Sequence, residues 1–179
     1  MNSRIFRSAI LAGICISIAG FGYLALGGVV GAILFSFGLL AVVNYQLKLF
    51  TGTAGFFKKG EFLQLLLILL GNIVGCLLMS YLSDVSPLGI DASTQKLLEG
   101  RLHTGWWQCG LLAIGCGFIM TTVVTFARKG QWIPLLFGVP MFIVCGFPHC
   151  IADAFYYLAA PVSFLWANAL PVLLLYLSI

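Results

Sequence analysis

The most constraining feature of the sequence is a glycine–proline interruption inside an apolar run long enough to cross a membrane. The run covers residues 132–160, and Gly-Phe-Pro-His-Cys occupies 146–150 in its middle. Glycine is conformationally permissive and proline lacks a backbone N–H, so the sequence predicts a broken helix. Unpaired backbone groups at membrane depth are tolerated only where protein shields them or they line a water-filled cavity. We therefore expect His149, a titratable residue at this depth, to mark a functional site.

The composition is typical of a membrane protein. Hydrophobic residues make up 61% of the 179 residues, and charged residues only 8%. A soluble domain of this size would not bury so much apolar surface, whereas a lipid bilayer accepts it. At roughly 20 residues per crossing, six transmembrane helices use nearly the whole chain. We expect residues 1–179 to form a single integral membrane domain in a lipid bilayer. The chain has a net charge of +4 but contains no basic stretch interleaved with aromatic residues, the pattern that would indicate nucleic-acid binding. We therefore interpret the charge as a signal of membrane topology.

Five further apolar segments accompany the broken one, at residues 8–26, 29–50, 61–82, 106–127 and 161–179. We interpret the first as a retained span rather than a signal peptide, because it is long and its small residues suit helix packing in lipid. The second ends in Thr-Gly-Thr at 51–53, a poor helix interior, and we expect a second break there. The polar segment 83–105 is expected to be an external loop.

The two interruptions fall at matching places in the chain. Thr51 ends the second of the first three spans, and His149 breaks the second of the last three. Two halves of three spans each must cross the membrane in opposite directions. The pattern therefore predicts an all-α membrane protein with an inverted 3+3 repeat and broken second and fifth helices. In such repeats, paired broken helices mark a transport site near the midplane.

Charge asymmetry predicts the orientation of the chain. If the spans alternate, one side receives six basic residues: Arg4, Arg7, Lys58, Lys59, Arg128 and Lys129. The opposite side receives only Lys96 and Arg101, accompanied by three acidic residues. Because basic residues concentrate on the cytoplasmic side, we expect both termini to be cytoplasmic.

Other polar residues within or beside the spans allow two interpretations each. Lys48, at the end of the second span, either snorkels or pairs, or it attracts anions. Asp153 lies one turn after His149 and either orients its ring or hydrogen-bonds to backbone. Asn72, between Gly71 and Gly75, is interpreted as a contact between closely packed helices.

The six cysteines give no sign of a metal or redox site. They form no CxxC pair and show no metal-ligand spacing with a histidine, so we interpret them as small apolar residues. We expect no metal and no cofactor.

Several motifs resemble the formate/nitrite transporter family. Residues 35–39 and 49–52 are similar to its second helix and the loop that interrupts it, and Gly-Asn-Ile-Val-Gly at 71–75 resembles its third-helix motif. Met-Phe at 141–142 with 146–153 is similar to the signature around the family's central histidine. Asn168 falls where the family has a Gly-Asn pair. The chain is identified as a short member.

The resemblance implies a homopentamer in a bacterial inner (cytoplasmic) membrane, with an aquaporin-like pore in every protomer. Two hydrophobic constrictions would flank a chamber with the histidine. By position, the constrictions would consist of Phe35, Leu39, Leu49, Phe50 and Phe142. The polar groups between them would be Thr51, His149 and Asn168. The basic residue of the outer vestibule would be Arg101 or, alternatively, Lys96.

The sequence departs from the family pattern at three places. Pro148 stands where the family has an acid before the histidine, and Asp153 stands where it has an asparagine. The asparagine of the fourth helix has no clear counterpart, since Gly115 or Gly117 occupies that region. These differences bear on substrate identity and pH gating more than on fold.

The resulting hypothesis is a channel for small monovalent anions such as formate or nitrite. A bare ion does not cross an apolar constriction because desolvating it costs too much. His149 would hydrogen-bond the anion or supply a proton, since an imidazole has an unperturbed pKa of about 6.5. The alternative is an aquaporin-like pore for water, urea or ammonia. A second alternative is a structural subunit that conducts no solute. An enzyme using His149, Asp153 and a cysteine is not expected, since no nucleophile–base–orienter grouping is evident.

Overall fold

The computed structural model describes residues 2–56 and 58–179, which form ten α-helices and no β-strand. The predicted all-α class is confirmed. The helices are α1 (Asn2–Leu26), α2 (Gly28–Asn44), α3 (Phe50–Ala54), α4 (Phe62–Asp84), α5 (Asp91–Thr104), α6 (Trp106–Arg128), α7 (Ile133–Val144), α8 (Cys150–Leu158), α9 (Val162–Ala167) and α10 (Ala169–Ser178).

Among the described residues, three helices are long and apolar enough to cross a bilayer by themselves. They are α1, α4 and α6, with mean hydropathies of 2.1, 2.4 and 2.0. The shorter apolar helices α2, α7 and α10 belong to the segments that the chain interrupts. Large apolar side chains stay exposed on the outside, such as Leu63 at 79% and Trp166 at 80%, as expected of a surface that faces lipid. The protein is thus a multi-pass membrane protein, while the count of six crossings stays a prediction.

The predicted breaks in the second and fifth segments are confirmed, and both begin with the same hydrogen-bond pattern. The N–H of Leu47 donates to the carbonyl of Val42 (2.8 Å), and the N–H of Gln46 donates to that of Val43 (3.1 Å). At the second break, Phe147 and Gly146 repeat these bonds to Phe142 and Ile143, at 2.9 and 3.0 Å. This pair of bonds is the Schellman motif, which ends a helix with a residue in the left-handed conformation.

The residue in that left-handed position differs between the two breaks. Gly146 has φ 71°, and Gln46 has φ 53°, the only positive φ of a non-glycine residue in the described chain. After each break the chain extends before the next helix begins, at Leu49 (φ −96°, ψ 133°) and at His149 (φ −126°, ψ 113°). The two breaks are therefore equivalent in backbone geometry although they share little sequence.

Helix packing repeats between the two halves of the chain. In the first half α1 packs on α2 and α4, and in the second half α6 packs on α7 and α10. The short helix of each break reaches across to the other half, because α3 contacts α6 and α8 contacts α1. The pair α2 and α7 joins the halves, and α3 touches α8. This arrangement confirms the predicted repeat and brings the two breaks together.

The contact between α1 and α4 involves small residues on both helices. A Cβ added to Gly75 would collide with the carbonyl oxygen of Ile10 in α1, and one added to Gly13 would collide with that of Asn72 in α4. Gly71 lies against the Cβ of Ala9. Glycine at these positions lets the backbones of α1 and α4 approach each other, as small residues do in membrane helix pairs.

The polar segment expected to be a loop contains the helix α5. Its sequence is rich in good helix formers, and Thr94 and Leu98 are buried on one face. That face packs against α1, α6, α8 and α10. The expectation of a loop was wrong in this respect, because a short polar helix with only two buried residues gives almost no periodic signal. The helix positions Arg101 beside the second break.

Candidate functional site

The two helix breaks meet at Thr51 and His149. Thr51 lies in α3, His149 immediately precedes α8, and Oγ1 of the threonine is 3.1 Å from Nε2 of the histidine. His149 is only 2% exposed. Two of the polar residues expected in the chamber are thus in direct contact.

The hydrogen bonds of the His149 ring define its tautomer. The N–H of Ala152 donates to Nδ1 at 3.2 Å, so this nitrogen carries a lone pair rather than a proton. The neutral ring then has its proton on Nε2 and donates it to Oγ1 of Thr51. The hydroxyl proton of Thr51 stays free to donate to another acceptor.

Asp153 fixes the backbone of His149 at the start of α8. Its Oδ2 accepts a hydrogen bond from the N–H of His149 at 3.1 Å, and its own N–H donates to the His149 carbonyl at 2.8 Å. Together with the Ala152 bond, this satisfies N–H groups that the first turn of a helix otherwise leaves unpaired. Of the two roles considered for Asp153, the hydrogen bond to backbone is the one that the geometry contains.

Apolar side chains surround the Thr51–His149 contact. The ring of Phe142 stacks on the His149 ring with centroids 5.3 Å apart, and Phe35 meets Phe142 edge-on at 5.9 Å. Leu39 and Leu49 are fully buried, while Phe50 is half-buried. The residues expected in the two constrictions belong to one buried apolar cluster at or beside the breaks, which we call the apolar layer. Their division into two separate constrictions stays a prediction.

Asn72 supports the first break from within α4. Its Nδ2 donates to the carbonyls of Ala9 (2.7 Å) and Lys48 (2.9 Å), and its Oδ1 accepts the N–H of Phe50 at 2.8 Å. The buried amide thus pairs three backbone groups, two of them at the break. The interpretation of Asn72 as a contact between helices is confirmed, and its role in shaping the break is new.

A cavity of about 590 Å³ lies on one side of the Thr51–His149 contact, and we call it the Arg101 cavity. Phe142 and His149 form part of its wall, and its polar lining includes Tyr23, Ser93, Lys96, Arg101, Asp153 and Tyr156. Arg101 donates to the carbonyl of Gly146 at the end of α7, and its Nη2 lies 3.7 Å from Oδ1 of Asp153. This guanidinium therefore bridges both ends of the second break.

A second cavity of about 520 Å³ adjoins the first break, and we call it the Lys48 cavity. Leu39 and Leu49 line it, as do Lys48 and Arg128. Arg128 donates weakly to the carbonyl of Gly52 at 3.4 Å and lies 3.7 Å from the ring centre of Phe56. The sequence identified Arg128 only as a topology signal. Its position next to the end of an apolar span was the clue to a place at a cavity mouth.

Asn168 occupies a different place from the other two polar residues expected in the chamber. It separates α9 from α10, and its Nδ2 donates to the carbonyl of Phe164 at 3.0 Å. It is absent from the lining of both cavities. The last span is thus interrupted at Asn168, and the place of this residue in a pore stays a prediction.

The family model described as "Formate/nitrite transporter" matches residues 2–175. "Formate channel FocA" of Haemophilus influenzae is 25% identical over 181 residues, which cover 84% of this chain and 64% of that protein. The chain spans less than two thirds of the length of the curated relatives it matches.

Two solved structures share the fold. "Pentameric formate channel with formate bound" has a TM-score of 0.78 and 22% identity, covering 96% of this chain and 82% of that chain. "FNT family ion channel" has a TM-score of 0.73 and 20% identity, covering 99% and 90%. With a family model that matches nearly the whole sequence, the chain belongs to the formate/nitrite transporter family.

Proposed function

We propose that this protein is a channel for small monovalent anions of weak acids, such as formate or nitrite. The observation that carries the proposal is that two basic cavities adjoin the same apolar layer. His149 and Phe142 form part of the wall of one cavity, and Leu39 and Leu49 line the other. The hydrogen-bonded threonine–histidine pair lies beside these apolar residues.

The charges of the two cavities favour anions over cations and neutral solutes. Lys96 and Arg101 line one cavity, and Lys48 and Arg128 line the other. Asp153 is the only carboxylate in either lining, and Arg101 lies next to it. Cavities lined by one sign of charge raise the local concentration of the opposite ion. A pore for water or urea would gain nothing from four basic residues.

The buried layer between the cavities selects small solutes that can leave their hydration shell. Phe35, Leu39, Leu49 and Phe142 supply apolar surface, with Phe50 at the edge. An unpaired charge is strongly unfavourable there. The free hydroxyl proton of Thr51 supplies one hydrogen bond to a passing oxygen, and the Nε2–H of His149 holds that hydroxyl in place. We assign Asn168 a supporting polar role.

The assembly and topology follow from the same proposal. A solved relative of this fold is described as pentameric. We propose a homopentamer with one pore in each protomer, residues 1–179 acting as one channel domain. We place it in the bacterial inner membrane with both termini in the cytoplasm, since the basic residues concentrate on that side.

Solute uptake by purified protein in lipid vesicles tests this function. Stopped-flow light scattering would compare formate, nitrite, acetate and lactate with urea, each at one acidic and one neutral pH. We expect the protein to accelerate uptake of the small anions over protein-free vesicles and to leave urea unchanged. Equal acceleration of urea, or no acceleration of any anion, would overturn the proposal.

A further inference from the structure

Two neighbouring polar atoms at the Arg101 cavity are buried without a hydrogen-bond partner. They are Oδ1 of Asp153 and Nε of Arg101. Asp153 is 1% exposed, and the 3.7 Å between its Oδ1 and Nη2 of Arg101 is too long for a hydrogen bond. Buried polar atoms are nearly always paired, so an unpaired one in a cavity wall calls for a functional explanation. Here the carboxylate has a free oxygen beside the path proposed for the anion.

The His149 ring, by contrast, has no free position for a proton. Nδ1 accepts the N–H of Ala152, and Nε2 is bonded to Thr51. Protonation of Nδ1 would place two donors against each other and break the bond that begins α8. A channel that relied on this ring for protons would have to disrupt its own helix break at every turnover.

We propose that Asp153, rather than His149, exchanges the proton that neutralises the transported anion. The inference rests on the proposed anion-channel function and specifies how the anion crosses the apolar layer. In the Arg101 cavity the O–H bond at Oδ1 of Asp153 breaks as an O–H bond forms to an oxygen of the anion. The neutral acid crosses, Asp153 is left as a carboxylate beside Arg101, and a hydronium ion from the cavity water restores its proton.

The groups around Asp153 and its helix suit this exchange. Lys96 and Arg101 are the two cations, and both come from α5. The other titratable groups are Tyr23 of α1, Cys76 of α4, Cys109 and Cys116 of α6, Tyr176 of α10, and His149, Cys150, Tyr156 and Tyr157 beside Asp153. Thiols and phenols ordinarily stay uncharged near neutral pH, and the hydrogen bonds of the His149 ring are those of a neutral imidazole. The two cations thus stabilise the carboxylate after it has lost its proton, and they draw the anion to it.

The substitution Asp153→Asn isolates the proton from the helix cap. An asparagine oxygen can still accept the N–H of His149, whereas the amide cannot carry an exchangeable acid proton. Asp91→Asn is the matched control, because Asp91 is an exposed carboxylate in the first turn of α5. Size-exclusion chromatography would verify that both variants assemble.

The experiment measures formate uptake and lumenal pH together in phosphatidylethanolamine–phosphatidylglycerol vesicles with a trapped pH dye. For the wild type and Asp91→Asn we expect protons to enter with formate, uptake to rise as the outside is acidified, and an imposed membrane potential to have no effect. For Asp153→Asn we expect proton uptake and pH dependence to be lost, and formate uptake to follow the potential.

Three results would overturn the assignment while leaving the channel function intact. They are proton-coupled uptake by Asp153→Asn, loss of coupling in Asp91→Asn, and potential-driven uptake without protons by the wild type. Absence of any formate uptake by the wild type would instead reject the channel function itself.

If Asp153→Asn does not assemble, the variant Arg101→Gln tests the role of Asp153 in its place. Removing this cation moves the midpoint of the pH profile of uptake to higher pH, and an unmoved midpoint contradicts the proposal.

Discussion

Thr51 Oγ1 lies 3.1 Å from His149 Nε2, so one hydrogen bond joins two helix breaks that are 98 residues apart in sequence. Before each of the two residues, a helix ends in a Schellman motif and the chain then becomes extended. The contact therefore depends on both breaks having the same geometry. This relationship explains why a chain with little internal sequence similarity keeps two equivalent interruptions.

The left-handed residue of the first break gives a stability prediction. Gln46 has φ 53°, a conformation that costs a residue with a side chain about 1 kcal/mol relative to glycine. We therefore expect Gln46→Gly to raise the free energy of unfolding in detergent by about 1 kcal/mol. Asn44→Gly, at the last position of α2, is the control and should lower it. A decrease in both variants would show that the backbone at Gln46 is not strained.

Asn72 is expected to be the most sensitive polar residue of the first half. Asn72→Ala leaves the N–H of Phe50 and the carbonyl of Lys48 without the partner that Asn72 provides, and it removes a second bond to the helical carbonyl of Ala9. Each unpaired buried group costs about 1–3 kcal/mol, so we expect a large drop in thermal stability and loss of the first break. Gln95→Ala removes only an exposed bond to Glu99 and should change stability little. Equal effects of the two variants would contradict the supporting role of Asn72.

The sequence predicted the features that depend on local chemistry. Glycine and proline at 146 and 148 and Thr-Gly-Thr at 51–53 indicated the breaks, and the glycines of α4 indicated a face for close helix packing, which α1 occupies in the structure. Both follow from properties of single residues or of their spacing. The same is true of His149, whose position in an apolar run indicated a functional site.

The features that the sequence did not predict depend on contacts between distant segments. Arg101 reaches Gly146 and Asp153 because α5 folds back onto α8, which no local pattern reveals. Gln46 occupies a left-handed position where glycine is the usual residue, so no glycine in the sequence marked this helix end. Arg128 was interpreted by its charge alone, and only the packing of α3 against α6 places it at a cavity.

The apolar layer gives a prediction about solute size. Phe142→Ala removes the ring that stacks on His149 and contacts Phe35, which widens the layer. We expect uptake of lactate to rise relative to uptake of formate, with some loss of stability because a large buried ring is removed. Phe137→Ala on the same helix is the control, since that ring is 71% exposed. An unchanged ratio of lactate to formate in Phe142→Ala would place the narrowest point elsewhere.

The Lys48 cavity gives a prediction about charge. Arg128 lines this cavity, whereas its neighbour Lys129 does not. We expect Arg128→Gln to slow formate uptake at low ionic strength more than Lys129→Gln, and the difference to shrink in high salt because salt screens exposed charges. Uptake rates at two salt concentrations measure this. If the two variants behave alike, the cavity lies outside the path of the anion.

The most direct test of the account is a double-mutant cycle on the Thr51–His149 pair, read as the rate of formate uptake into vesicles. Thr51→Val removes the hydroxyl, and His149→Asn removes the imidazole while keeping a residue that can begin α8. We predict that each substitution slows uptake and that the double variant is no slower than the more impaired single one, because both remove one shared interaction. Unchanged uptake in the single variants, or fully additive losses in the double variant, would contradict the claim that anions pass at this contact.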